Sequence, residues 1–126
     1  MIFIYGNVPS SKNSKRWTGR FLISNEATQK YKKYSAKEYE TFAFDFVKEV
    51  VDNHIPVPLK VGFHFVRKSK HKFDFINACQ VVQDLMVRHG WIPDDNMDEL
   101  LPFPLEVEGS YYSYDKTNPG VFIKLL

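Results

Sequence analysis

Apolar and polar positions alternate most regularly between Leu59 and Val66. Leu59, Val61, Phe63 and Phe65 fall on one side, and Lys60, Gly62 and His64 on the other. Successive side chains of a strand point to opposite faces, so this stretch predicts a strand with one buried face, and His64 becomes a surface or edge residue. A different period precedes it. Tyr39, Phe42, Ala43, Phe46, Val47 and Val50 recur at steps of three and four, the single apolar face of a helix. Ser24 or Asn25 is its expected cap, and Pro56 stops it. A second helix is expected from about Phe75 to His89, with Ala78, Val81, Val82, Leu85 and Met86 facing the core and Gly90 ending it.

The remaining elements are shorter. Residues 1–5 and Phe21–Ile23 predict strands, and the polar, basic residues 10–20 between them a loop. Leu105–Val107 and Tyr111–Tyr114 read as a hairpin around Gly109-Ser110, and Val121–Leu125 as a last strand. The order is β, β, α, β, α, then strands. It predicts an α/β (α+β) fold: a single domain over residues 1–126, with a mixed β-sheet packed against two helices.

Composition narrows the class. The 126 residues are 44% hydrophobic and 25% charged, a globular rather than a disordered balance. No apolar run reaches the roughly 18 residues of a membrane span, so no membrane partner is expected. A single cysteine, Cys79, excludes an intramolecular disulfide, and four scattered histidines exclude a Cys/His zinc site of ordinary spacing. The first residues lack the charged start of a signal peptide, so the cytoplasm is the expected location.

Charge is distributed unevenly. Residues 1–72 carry 14 Lys and Arg against 6 Asp and Glu, a surplus of +8. Residues 73–126 carry 3 against 9, a deficit of −6, and the two halves combine to the net +2. Two basic segments stand out: Lys12, Lys15, Arg16 and Arg20, beside Asn13 and Trp17, and then Arg67, Lys68, Lys70 and Lys72. Either pair of segments is two solvated loops, or it is the positive rim that a phosphodiester backbone requires.

Carboxylates follow directly. Asp74 opens the second helix, where it suits an N-cap. Asn77, Gln80, Asp84 and Arg88 form a polar stripe on that helix, within roughly 80° of each other, and Asp84 with Arg88 has the spacing of an ion pair. Asp94 and Asp95 lie past the helix in an acidic run with Asp98 and Glu99. Such a run is ordinarily a solvated loop. If the chain returns far enough to bring Asp95 to Asp74, paired carboxylates without thiols suit a hard cation, Mg2+ or Mn2+.

Taken in order, these residues resemble the RusA family of Holliday junction resolvases. Pro9-Ser10-Ser11-Lys12-Asn13 with Arg16 is similar to that family's N-terminal loop. Asp74, Asn77, Asp84, Gly90, Asp94 and Asp95 match its core spacing without a gap over 22 positions. The resemblance implies a dimeric, magnesium-dependent endonuclease that cuts branched DNA such as four-way junctions in recombination and repair, encoded by a bacterium or a phage. Asp74, Asp94 and Asp95 would be the catalytic and metal-binding residues, with Asn77, Gln80 and Asp84 in support. Two positions depart from the family pattern: Ile76 stands where the family has a second Asp, and Gln80 where it has a Lys. Isoleucine cannot ligate a metal, so the alternative is a RusA-like protein that binds branched DNA without cutting it.

Overall fold

Strand β4, Leu59–Arg67, is the axis of the sheet in the computed structural model of the chain. The structure describes residues 1–10, 15–17, 22–24 and 26–126. On one side β4 pairs antiparallel with β7, Gly120–Leu125, which pairs antiparallel with β1, Ile2–Tyr5. On its other side β4 pairs parallel with two short strands in succession. Its first half takes β5, Leu100–Pro104, and its last residues take β6, Tyr112–Tyr114. The mixed sheet with two helices is the expected α+β architecture. A separate antiparallel ribbon joins β2, Lys15–Trp17, to β3, Leu22–Ser24. Lys15, Arg16 and Trp17 therefore occupy a strand where the polar composition predicted a loop.

Helix α1 spans Glu26–Asp52 and α2 spans Phe75–Arg88. Asn25, one of the expected caps of α1, lies outside the described residues, and Ser24 belongs to β3. Of the predicted face of α1, Tyr39 and Phe46 are buried, Phe42, Ala43 and Val50 are half-buried, and Val47 is exposed. The helix is tied to its neighbours by side chains as much as by its stripe. The Trp91 indole N–H donates to the Tyr39 carbonyl at 2.7 Å, and the Trp91 ring packs on Phe46 at 5.0 Å. The Tyr31 and Tyr39 hydroxyls hydrogen-bond at 2.9 Å below the surface. Helix α2 ends where Gly90 takes a φ of +80°, a conformation that suits glycine.

The alternation in β4 misstates its burial. Every residue from Val61 to Val66 is buried, including both that pointed away from the predicted core. A Cβ at Gly62 would meet Leu105 at 3.1 Å and Leu126 at 3.3 Å. His64 is 1% exposed, not a surface residue. Its Nδ1 lies 2.9 Å from the Leu105 carbonyl and its Nε2 2.9 Å from the Ser113 hydroxyl. A carbonyl can only accept, so Nδ1 carries the proton and, in the neutral ring, Nε2 accepts from Ser113. The second face is covered by the 105–113 segment and by Phe122 of β7. That segment is not the predicted hairpin. Its strand partners all lie in β4, apart from one bridge between Val107 and Ser110.

His64→Ala strands the Leu105 carbonyl under the 105–113 segment. It should cost about 1–3 kcal/mol from that unpaired group alone. Phe44→Ala, on the exposed side of α1, should stay within about 0.5 kcal/mol. Urea unfolding of both variants checks this, and equal losses would show that the His64 contacts contribute nothing.

Candidate functional site

The basic stretch 67–72 and Asp74 form the connection from β4 to α2. Its ends are fixed by aromatic packing. Phe73 and Phe75 flank Asp74 and stand edge-on to the core ring of Phe65 at 6.0 and 5.7 Å. Phe73 also meets Tyr112 at 5.1 Å. Between those anchors Asp74 takes an extended backbone and caps the helix, its carboxylate accepting from the Asn77 N–H at 3.2 Å. The capping role read from the sequence is thus realised, and the carboxylate stays at a helix N-terminus, where the dipole favours an anion.

The cations of the loop divide in two. Arg67 turns inward. Its guanidinium donates to the Val8 carbonyl and to the Ser10 hydroxyl, and lies 4.9 Å above the Phe73 ring. Burial lowers its pKa. Arg67 therefore holds the segment around Pro9 against the end of β4. Lys68, Lys70 and Lys72 are exposed. The Lys68 backbone N–H donates to Asn7 at 3.0 Å, and the Lys70 ammonium lies 5.4 Å above the Tyr114 ring. Lys70 shares a cleft of about 510 Å³ with Tyr111, Tyr112 and Tyr114. Lys12, Asn13 and Arg20 lie outside the described residues, and Lys15 and Arg16 lie on β2.

The other carboxylates gather elsewhere. Asp84 is ten residues into the chain from Asp74, a rise of roughly 15 Å along α2. It pairs with Lys32 of α1 at 3.2 Å rather than with Arg88. Asp95 lies within electrostatic reach of Asp84: its pKa is raised by burial, by a hydrogen bond with Asp94, and by the charges of Asp84 and Asp94. Asp94 moves the opposite way. The Asp95 N–H, at 2.7 Å, and the Asn96 amide, at 3.1 Å, donate to its carboxylate and lower its pKa. The 94–99 loop closes on itself through Asn96, and the Glu99 carbonyl accepts from the Leu59 N–H at the beginning of β4.

Asp74 and the pair Asp94–Asp95 consequently occupy opposite ends of one crossover. Asp74 follows the carboxyl end of β4, and the 94–99 loop abuts its amino end. Asn77 is half-buried near the Asp74 end of α2, and Gln80 is exposed on its middle. Ile76, where the RusA pattern has an Asp, is 68% exposed in the first turn. Among the described residues, no group of three or more His, Cys, Asp or Glu side chains could hold a metal ion. Nor is any described helix long and apolar enough to cross a membrane. Sequence reading missed Lys32, because its partner Asp84 is 52 residues away, and Tyr112 and Tyr114, because only the β4–β6 pairing brings them to the basic loop. No family model and no curated protein matches the chain.

The opposed pKa shifts give opposed linkage. Asp95 has a folded pKa above its ordinary value of 3.8, so between those values the folded state holds the extra proton and stability falls as pH rises. Asp95→Asn removes that penalty, and its stability relative to wild type should improve as pH rises through the carboxylate range and level off above it. Asp94, with a lowered pKa, contributes stability above the ordinary value that is lost as pH falls. Asp94→Asn should accordingly lose stability at neutral pH and match wild type in acid. Chemical denaturation across that pH range checks both signs.

Proposed function

We propose that the chain binds branched DNA and cuts it as a magnesium-dependent, structure-selective endonuclease of the RusA kind, acting as a homodimer. The observation that carries this reading is the β4–α2 connection. Exposed Lys68, Lys70 and Lys72 lead into Asp74 at the carboxyl end of the central strand, the end of an open α/β sheet where ligands characteristically bind. Lysines there neutralise phosphates, and a carboxylate there is placed at the backbone they hold. Magnesium, when bound, would supply an activated water and stabilise charge on the phosphoryl oxygens.

The described residues of one chain do not complete a metal site. Asp74 caps the start of α2 while Asp94 and Asp95 follow its end, Asp94 has both oxygens engaged within its own loop, and Asp84 is paired with Lys32. The catalytic part of the proposal therefore requires the dimer, with Asp74 of one protomer facing Asp95 of the partner subunit. A two-fold pair would repeat that arrangement twice, in keeping with the approximate two-fold symmetry of a four-way junction. The same separation, together with Ile76, favours a second reading: a RusA-like protein that binds branched DNA and does not cut it.

Divalent-metal-dependent nicking of a mobile four-way junction, compared with duplex DNA, separates the two. Asp74→Asn should keep or tighten junction affinity while ending any nicking. Replacing Lys68, Lys70 and Lys72 by Ala should weaken binding and flatten the dependence of log affinity on log salt by about two. Wild-type binding without nicking selects the second reading, and no binding to branched DNA at low salt excludes both.

Restoring the missing carboxylate tests the metal directly. Ile76→Asp, at an exposed first-turn position beside Asp74, should raise the affinity for Mg2+ or Mn2+ measured by titration calorimetry. No gain would remove position 76 from the metal site.

A further inference from the structure

Lys68 lines a second cleft, distinct from the one that Lys70 shares with Tyr114. This cleft, of about 780 Å³, is lined by Tyr5, Tyr31 and Tyr34 and by Lys30, Lys33 and Lys68, with no acidic residue among the described residues of its wall. The tyrosines differ in role. Tyr31 is the floor: it is 5% exposed, and burial pushes its hydroxyl up, so it stays neutral. Tyr5 is 41% exposed and held in place, its hydroxyl donating to the Thr117 carbonyl at 3.3 Å. Tyr34 is 70% exposed. Tyr5 and Tyr34 also line a neighbouring cleft of about 460 Å³, so the two rings form the wall between two hollows.

The backbone at the rim is fixed. Gly6 donates to the Pro119 carbonyl at 2.8 Å and takes a φ of +120°, which brings the main chain close over the rings. A Cβ on Gly6 would stand 3.5 Å from Tyr31 and 4.0 Å from Tyr34. Lys30 also pairs with Glu26 at 3.2 Å, but both side chains are more than three-quarters exposed, and such a pair holds a lysine weakly.

We infer that the Tyr5–Tyr34 cleft takes an unpaired nucleotide, with the base stacked on the exposed tyrosine and its phosphates held by Lys30, Lys33 and Lys68. The chemistry of the wall selects this ligand. Flat aromatic faces beside exposed ammonium groups are how proteins hold single-stranded nucleic acid without reading its sequence. A base inside a duplex has both faces covered by its neighbours and offers none to Tyr34. An apolar peptide would bring no counter-charge to the lysines. Lys68 belongs both to this wall and to the loop that leads into Asp74, so the unpaired nucleotide lies beside the duplex arm that Lys70 and Lys72 would meet. The inference rests on the DNA-binding reading and adds to it a preference for branch points that carry an unpaired segment.

The test compares a fully paired four-way junction with the same junction carrying a short single-stranded thymidine flap that includes 2-aminopurine. Wild type should favour the flapped junction and quench the 2-aminopurine on binding. Tyr34→Ala should lose about tenfold in affinity for the flapped junction, and lose the quench, while binding the paired junction as wild type does. Tyr34→Phe keeps the ring and should retain both. Equal wild-type affinity for the two junctions, or an unchanged quench in Tyr34→Ala, overturns the cleft assignment and leaves the DNA-binding reading intact. Failure of wild type to bind either junction or a free oligothymidylate overturns both. Binding of a free oligothymidylate that Tyr34→Ala abolishes, without junction binding, supports the cleft and removes the branched-DNA reading.

Discussion

The fold depends on covering β4 on both faces and both edges. From Val61 to Val66 every residue of this strand is buried. Its backbone is satisfied by β7 on one edge and by β5 and β6 in turn on the other. A parallel neighbour cannot be reached by a tight turn. The chain must travel back the length of β4 before β5 can begin beside its first residue, and α2 makes that return. The position of every candidate functional group follows from this crossover.

One consequence is the separation of the carboxylates. A helix of 14 residues spans about 21 Å, and β4 has comparable length, so whatever enters α2 and whatever leaves it stand at opposite poles of the sheet. The entry pole collects positive charge and aromatic rings. Arg67 is drawn in to hold the chain near Val8, which leaves Lys68 and Lys70 outward, between two tyrosine-lined clefts. The exit pole collects negative charge. There burial and the charges of Asp84 and Asp94 raise the pKa of Asp95, and Lys32 pairs with Asp84. The charge asymmetry of the two halves of the sequence thus becomes a spatial one, with the exposed lysines beside Asp74 and the acidic cluster beyond the far end of α2.

Several features of the chain are local and were legible in its residue pattern. The 3.6-residue period and Gly90 place α2 to within a residue of its observed end. Asp74 caps α2 because a short acceptor before an apolar helix satisfies its first N–H groups wherever that helix packs. The 68–72 stretch is a loop because three lysines in five residues cannot be buried. Long-range pairing decided the rest. His64 alternates as a surface residue, yet Leu105 and Ser113, more than 40 residues on, enclose it. Strand β5 escaped notice because Pro102 and Pro104 argue against a strand, although an edge strand tolerates proline where no ladder hydrogen bond is needed. Tyr31 and Tyr34 are three residues apart on one helix, and only the placement of β1 across α1 made the first a buried floor and the second an exposed face. Spacing along the chain records which groups are near in sequence. Which groups share a pole of the sheet is set by the direction in which the crossover returns, and that is a property of the packed strands.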